Sequence, residues 1–373
     1  MSNQTLVGIF IAASLAFTGC GPKAAGGSNS GGVGREPLVC DNGVVSVDGS
    51  NGIVGGSAVA KDSWLGQTVV LLVMKMKMTD KNGKSQYAYG KCTASLLDYN
   101  IVLTAAHCVA DERTDSETVA VTEIRAFFSA QPACNADKSI DLSSGIPVQQ
   151  NEIHIHPAYK GIEDGMELTS ENEAGDLAML KLQWNAPGNW RTVKLSDRQV
   201  DLSGAEMLLA AGYGRTNPEI NDFEPYELVL RRTYLRGLLP STAAAETAAW
   251  KARMQEYIKA QGSSAKPEVV QQIEKFLPKP TFYEMGAERD FLYVDQSQGV
   301  GICRGDSGGA AFHQRNGKYY VVGIASWGQN SVNNAGLCAS VGAYTNTFRY
   351  KNWLTQKFNQ LKNPYSPVKN IFE

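Results

Sequence analysis

The stretch "ICRGDSGGAAF", Ile302 to Phe312, sets one hydroxyl, Ser307, between Asp306 and the pair Gly308–Gly309. Glycine costs backbone entropy, so a cluster of it marks a sharp turn or a place where something comes close. A hydroxyl attacks only when a base takes its proton. The base must in turn be held in one tautomer and stabilised once charged. Two other stretches supply those residue types: "TAAHC" follows an apolar run with His107, and "EAGDLAML" opens one with Asp176. Base, orienting carboxylate and nucleophile together suit acyl transfer. The backbone N–H groups of Gly305 and Ser307 would serve the oxyanion. Each piece alone is a weak signal, because a lone histidine near a strand end is more often structural and an aspartate before an apolar run is usually a turn residue. The other histidines, His154, His156 and His313, lack such a context and read as surface or loop residues.

The elements that must hold these residues are mostly strands. "TVVLLVMKMKM" (68–78) becomes strictly alternating at its end, as a half-buried strand does, and the Asn82-Gly83 pair after it is a hairpin signal. "YAYGKCTASLL", "IVLTAA", "DLAMLKL", "EMLLAAGYG" and "YYVVGIASWG" are further short apolar runs bounded by turn residues. Many short strands with Gly-rich turns predict an all-β barrel or sandwich. Two helical patterns interrupt them, 241–261 and 267–277, and "YKNWLTQKFNQLK" near the end is a third.

The 373 residues allow one large all-β unit or two ordinary domains, and 43% apolar residues support a buried core. A net charge of −2 gives no electrostatic case for nucleic acid. Leu6 to Phe17 is apolar but short for a transmembrane helix, and reads with residues 1–19 as a signal peptide. An ordinary secretory signal is one reading. The other is a bacterial lipoprotein signal, because "FTGC" resembles a lipobox ending at Cys20, although "MSNQT" lacks the usual Lys or Arg. The cysteine count favours the second. There are seven, so lipid on Cys20 leaves six for disulfides in an oxidising compartment. No C-x-x-C pair or metal-ligand spacing occurs, and neither metal nor cofactor is expected. Residues 20–37 read as a Gly/Ser-rich flexible tether.

Taken together, the motifs resemble the chymotrypsin-like (trypsin-fold) serine peptidases. The resemblance runs in order through "IVGG" at Ile53, "SW" at Ser63, "TAAHC", "HPAY" at His156, "DLAMLKL", "GYGRT" at Gly212, "CRGDSGG", "SWG" at Ser326 and "GAYT" at Gly342. It implies two packed antiparallel β-barrels with the site between them, a C-terminal helix, and endopeptidase activity on protein or peptide substrates. His107 would be general base, Asp176 its orienting partner and Ser307 the nucleophile. Ser326, Trp327 and Gly328 would pair with substrate backbone. The resemblance also implies disulfides Cys92–Cys108 and Cys303–Cys338, with Cys40–Cys134 taking the two that remain.

By the same resemblance, 38–52 is a propeptide and 53–373 the peptidase domain. A cut before Ile53 would release an ammonium that pairs with Asp306. Gly52 before Ile53 argues that an activating protease other than trypsin makes that cut. Gly301, six residues before Ser307, falls at the base of the specificity slot, with Ile302, Gly328 and Gly342 around it and Arg304 at its mouth. With no acidic group there, an open slot for a large apolar or aromatic side chain is expected.

The sequence departs from the family in a long His107–Asp176 spacing, an enlarged loop from Gly328 to Cys338 and a helical insertion at about 236–289 in the second barrel. That insertion is an exosite, a lid or plain surface decoration. The expected place is the cell envelope, lipid-anchored and facing the periplasm or the cell surface, or else secreted. The competing reading from another class is an inactive family member acting as a binding module at the cell surface.

Overall fold

The computed structural model describes residues 53–113, 117–129, 141–161, 174–202, 206–215, 228–239, 290–329 and 340–373, with 135, 338 and six helical residues within 241–252. The signal, Cys20, the tether, the propeptide, the Cys40–Cys134 pair, most of the insertion and the loop 330–337 lie outside them.

In chain order the strands are β1 (Ser57–Ala58), β2 (Val69–Asp80), β3 (Ser85–Asp98), β4 (Ile101–Thr104), β5 (Glu112–Arg113), β6 (Glu117–Phe127), β7 (Ile146–Ile155) and β8 (Ala178–Leu182). They continue as β9 (Met207–Gly212), β10 (Arg231–Gly237), β11 (Phe291–Asp295), β12 (Ala310–Arg315), β13 (Lys318–Gln329) and β14 (Val341–Asn346). β2, β3, β4, β8, β7 and β6 close into one ring because β6 pairs back onto β2. β10, β11, β14, β13, β12 and β9 close a second ring through the β9–β10 pair. The expected two antiparallel barrels are therefore present, and closure removes the exposed edges that an open sheet would leave.

The alternating end of β2 behaves as its pattern predicts: Met74, Met76 and Met78 are buried, whereas Lys77 is exposed. At the tip the Asp80 carboxylate accepts from the N–H groups of Asn82 (2.8 Å) and Lys84 (2.9 Å) and fixes the turn. Helix α1 (Lys351–Leu361) buries Leu354, Phe358 and Leu361, spaced i, i+4 and i+7, on the main core. Beyond it the tail crosses back to the linker between the barrels. Leu195 N–H donates to the Ile371 carbonyl (2.7 Å), and Glu373 N–H donates to the Leu195 carbonyl (3.0 Å). Glu373 also meets Lys318 Nζ (2.8 Å) and the Tyr320 hydroxyl (3.1 Å).

Candidate active site

His107 sits on a 3₁₀ turn, Ala106–Cys108, directly after β4. The Cys92–Cys108 disulfide ties that turn to β3, and the His107 ring lies against its sulfurs. Those sulfurs are spent in the bond, so the group is no thiolate metal site. Asp176 lies just before β8 and is buried. Its Oδ1 accepts the His107 backbone N–H (2.9 Å), and its Oδ2 lies 2.7 Å from His107 Nδ1. The Ser326 hydroxyl donates to the same Oδ2 (2.6 Å). Burial alone would raise the Asp176 carboxyl, but His107 and the Ser326 hydroxyl outweigh it and hold the group below the ordinary carboxylate range. A carboxylate at Nδ1 places the imidazole proton there and makes Nε2 the basic nitrogen.

Ser307 is fully buried at the turn before β12. A chain of contacts joins its turn to the other two residues. Gly308 N–H donates to the Ala325 carbonyl (2.8 Å), and Ala325 N–H donates to the Gly309 carbonyl (2.8 Å). Next to Ala325 on β13 is Ser326, which holds Asp176, which holds His107. On the other side the Ser307 carbonyl accepts Thr93 N–H from β3 (2.7 Å). Gly308 adopts φ +78°, and a Cβ there would lie 2.0 Å from Thr104 Oγ1, 2.3 Å from the Thr93 carbonyl and 3.0 Å from the nitrogen of Ala105, two residues before His107. Only glycine lets the serine turn lie this close to the histidine turn. The sequence-expected His107, Asp176 and Ser307 are thus brought together, one side from each barrel.

Sequence reasoning missed the polar pins across that seam. The Thr93 hydroxyl donates to the Gly305 carbonyl (3.0 Å) and accepts Tyr213 N–H (3.1 Å). Within the first barrel the Thr104 hydroxyl donates to the Thr93 carbonyl (2.8 Å), and across the seam that of Thr345 donates to the Asp176 carbonyl (3.2 Å). A threonine inside an apolar strand run is the available signal, because a buried hydroxyl needs a partner. Ser326, expected at the substrate edge, also serves Asp176. His156, expected at the surface or in a loop, lies in the loop after β7, partly buried between Tyr350 and Trp353 (ring centroids 4.7 and 4.9 Å).

Asp306 is buried, and its carboxylate accepts Gly214 N–H (2.7 Å) and Cys303 N–H (2.9 Å). The ammonium of Lys91, which donates to the Tyr213 carbonyl (2.6 Å), also acts on it. Burial pushes Asp306 up to about 7 and Lys91 down to about 7, each partly opposed by the other. Ile53 is buried in the second-barrel core with Ile302, and Val54 pairs with Gly301.

The slot expected beside Ser307 is not empty at its base. Gly301, Gly328, Gly342 and Ile302 lie close together, but the side chain of Gln296 lies between Gly301 and Gly342. The expectation of an open base under Gly301 is therefore corrected. The glycines leave room, and a buried amide fills it. The Cys303–Cys338 disulfide stands next to this slot as expected. Among the described residues no helix is long and apolar enough to cross a membrane.

The chain is 24% identical over 281 residues to the complement C1s-1 subcomponent of Mus musculus, which covers 72% of this chain and 32% of that protein. It is 24% identical over 283 residues to the calcium-dependent serine proteinase of Mesocricetus auratus, covering 74% and 33% respectively. With the urokinase-type plasminogen activator of Gallus gallus it shares 24% over 279 residues, covering 72% and 51%. The chain thus spans between a third and a half of the length of these animal proteins. The sequence profile described as trypsin matches residues 53–267 and 267–354, a range that runs through both barrels and holds His107, Asp176 and Ser307. Two closed barrels, a site shared between them and a profile that covers both have one source: the chain belongs to the trypsin family.

Proposed function

We propose that this chain is an exported serine endopeptidase that works through an acyl-enzyme. The observation that carries the reading is the two-handed grip of Asp176 on His107, at Nδ1 and at the backbone N–H. It fixes the tautomer in which Nε2 is the base. In the reaction, Ser307 Oγ attacks the peptide carbonyl while Nε2 takes its proton. The backbone N–H groups of Gly305 and Ser307 hold the oxyanion. Nε2 then gives the proton to the leaving amine, and water repeats the sequence on the ester. Asp176 stabilises the imidazolium throughout.

Two finer features belong to the same proposal. A cut before Ile53 activates the chain by releasing an amine beside Asp306. The burial of Ile53 and the Val54–Gly301 pair support this, since they already seat that segment in the second barrel. Lipid on Cys20 anchors the enzyme at the cell envelope, a reading supported by "FTGC" and the odd cysteine count.

The test is Ser307→Ala, purified and shown to be folded. Turnover of a peptide substrate should fall by about 10⁶. Wild-type turnover in the alanine variant would overturn the mechanism.

A further inference from the structure

Gly328 on β13 and Gly342 on β14 face each other in register. Across from them runs the segment Gly301–Ile302, which leads directly to Ser307. Three glycines around one gap leave it without side chains of its own. At Gly328 the gap is open among the described residues, because a Cβ there would come no closer than 3.7 Å to any of them, the Val341 carbonyl being nearest. At the other end it is filled. A Cβ on Gly301 would lie 2.2 Å from Gln296 Cδ, and a Cβ on Gly342 would lie 2.2 Å from Gln296 Oε1. The room that side chains at 301 and 342 would use belongs to a residue on neither segment.

Gln296 is fully buried and held on every side. Its Oε1 accepts Ile302 N–H (3.0 Å). Its Nε2 donates to the carbonyls of Cys338 (2.8 Å) and Ile302 (3.2 Å). Its own backbone N–H donates to the Ser340 carbonyl (2.8 Å). Both amide hydrogens are therefore used, and the group is neutral. It cannot rotate aside without leaving buried polar atoms of two segments unpaired.

We propose that Gln296 is the floor of the slot for the substrate side chain preceding the cut, and that it makes the enzyme select aliphatic residues of middle length, Val, Leu or Met. The inference rests on the peptidase reading above and adds the substrate class. The open entrance at Gly328 admits a side chain. The raised floor stops an aromatic ring before it is seated. A lysine or arginine would meet an uncharged amide whose donors are already engaged, so its charge would be desolvated without compensation.

The experiment compares peptide-library cleavage by the wild type, Gln296→Gly, Gly301→Asp and the double variant Gln296→Gly/Gly301→Asp. The wild type should prefer Leu, Met or Val to Phe or Tyr by at least tenfold in kcat/KM. Gln296→Gly should raise cleavage after Phe and Tyr relative to Leu at least tenfold. Gly301→Asp alone should not create cleavage after Lys or Arg, because its Cβ meets the Gln296 amide; the double variant should. An unchanged profile in Gln296→Gly, or Lys/Arg cleavage by the single Gly301→Asp variant, overturns the proposal.

If the variants do not fold, the wild type still decides. Inhibition by a peptide aldehyde ending in leucinal should be at least tenfold tighter than by its phenylalaninal analogue, and equal inhibition refutes the floor. A fluorophosphonate label on Ser307 separates the two levels. A labelled enzyme with the wrong preference sinks only the role of Gln296. A wild type cut before Ile53 that neither labels nor cleaves sinks the peptidase reading itself.

Discussion

Asp176→Asn isolates the tautomer argument from everything else in the site. Oδ1 faces a backbone N–H, that of His107 (2.9 Å), and this donor has no second choice of role. An asparagine must therefore place its carbonyl oxygen there. Its NH₂ then falls at the Oδ2 position, 2.7 Å from Nδ1, where the Ser326 hydroxyl can turn to accept. The amide donates to Nδ1, so the imidazole proton moves to Nε2 and the base is lost. Shape and contacts are otherwise kept, and the melting temperature should move by only a few degrees. In a Ser-His-Asp triad this tautomer error costs about 10⁴ in kcat, or roughly 5 kcal/mol of barrier. The assay is turnover of a peptide substrate at pH 7.5, with thermal unfolding followed by circular dichroism on the same sample. A folded Asp176→Asn protein with kcat within tenfold of the wild type would refute the reasoning.

Gly308→Ala should lower both stability and kcat, because a left-handed residue costs about 1–2 kcal/mol and the new methyl would displace Thr104 and the serine turn together. A shift on the order of 1 Å there costs about 10² in rate, and a kcat within threefold of the wild type would show that the turn tolerates a side chain. Lys91→Met tests the buried pair. Asp306, raised to about 7, withdraws stability as pH rises from the ordinary carboxylate range to 7, whereas Lys91, lowered to about 7, restores it between 7 and 10.5. Urea midpoints of the uncut protein in a Ser307→Ala background should therefore rise above pH 7 with lysine present and show no such rise with methionine; parallel curves would exclude the pair. Cys20→Ser should move the protein from the membrane fraction to the soluble one, and mass spectrometry of the wild type should find lipid on Cys20. A soluble wild type that starts elsewhere would refute the anchor.

The sequence showed what local patterning can carry. β2, β4, β8, β9, β13 and α1 follow runs whose periods are visible in a window of a dozen residues. His107, Asp176 and Ser307 were visible because each sits in its own short motif. Gln296, Lys91 and Thr93 were not. Gln296 follows β11 inside the polar run Asp295 to Gln298, which reads as an ordinary turn, and its meaning comes from Gly342, which reaches it only through the β11–β14 pairing. Lys91 reads as one more strand lysine until its ammonium is found on the Tyr213 carbonyl, 122 residues away. The slot at Gly301 shows the limit most plainly. Sequence identifies which side chain is missing, and only packing shows which other side chain has moved in.

The tail that crosses back to the linker also bears on timing. Lys194 is joined to Asn370 across 176 residues of chain. The amides of Leu195 and Asp197 find their partners only in Ile371 and Glu373. At a synthesis rate of about 5–20 residues per second, the linker waits roughly 10–35 s for the segment that pins it. During that interval the first barrel has Asp176 and His107, and the second is still arriving. A nascent chain therefore carries its reactive residues apart, and the hinge between its halves locks after the rest of both barrels has emerged. The order of emergence itself delays the moment at which the molecule could cut anything.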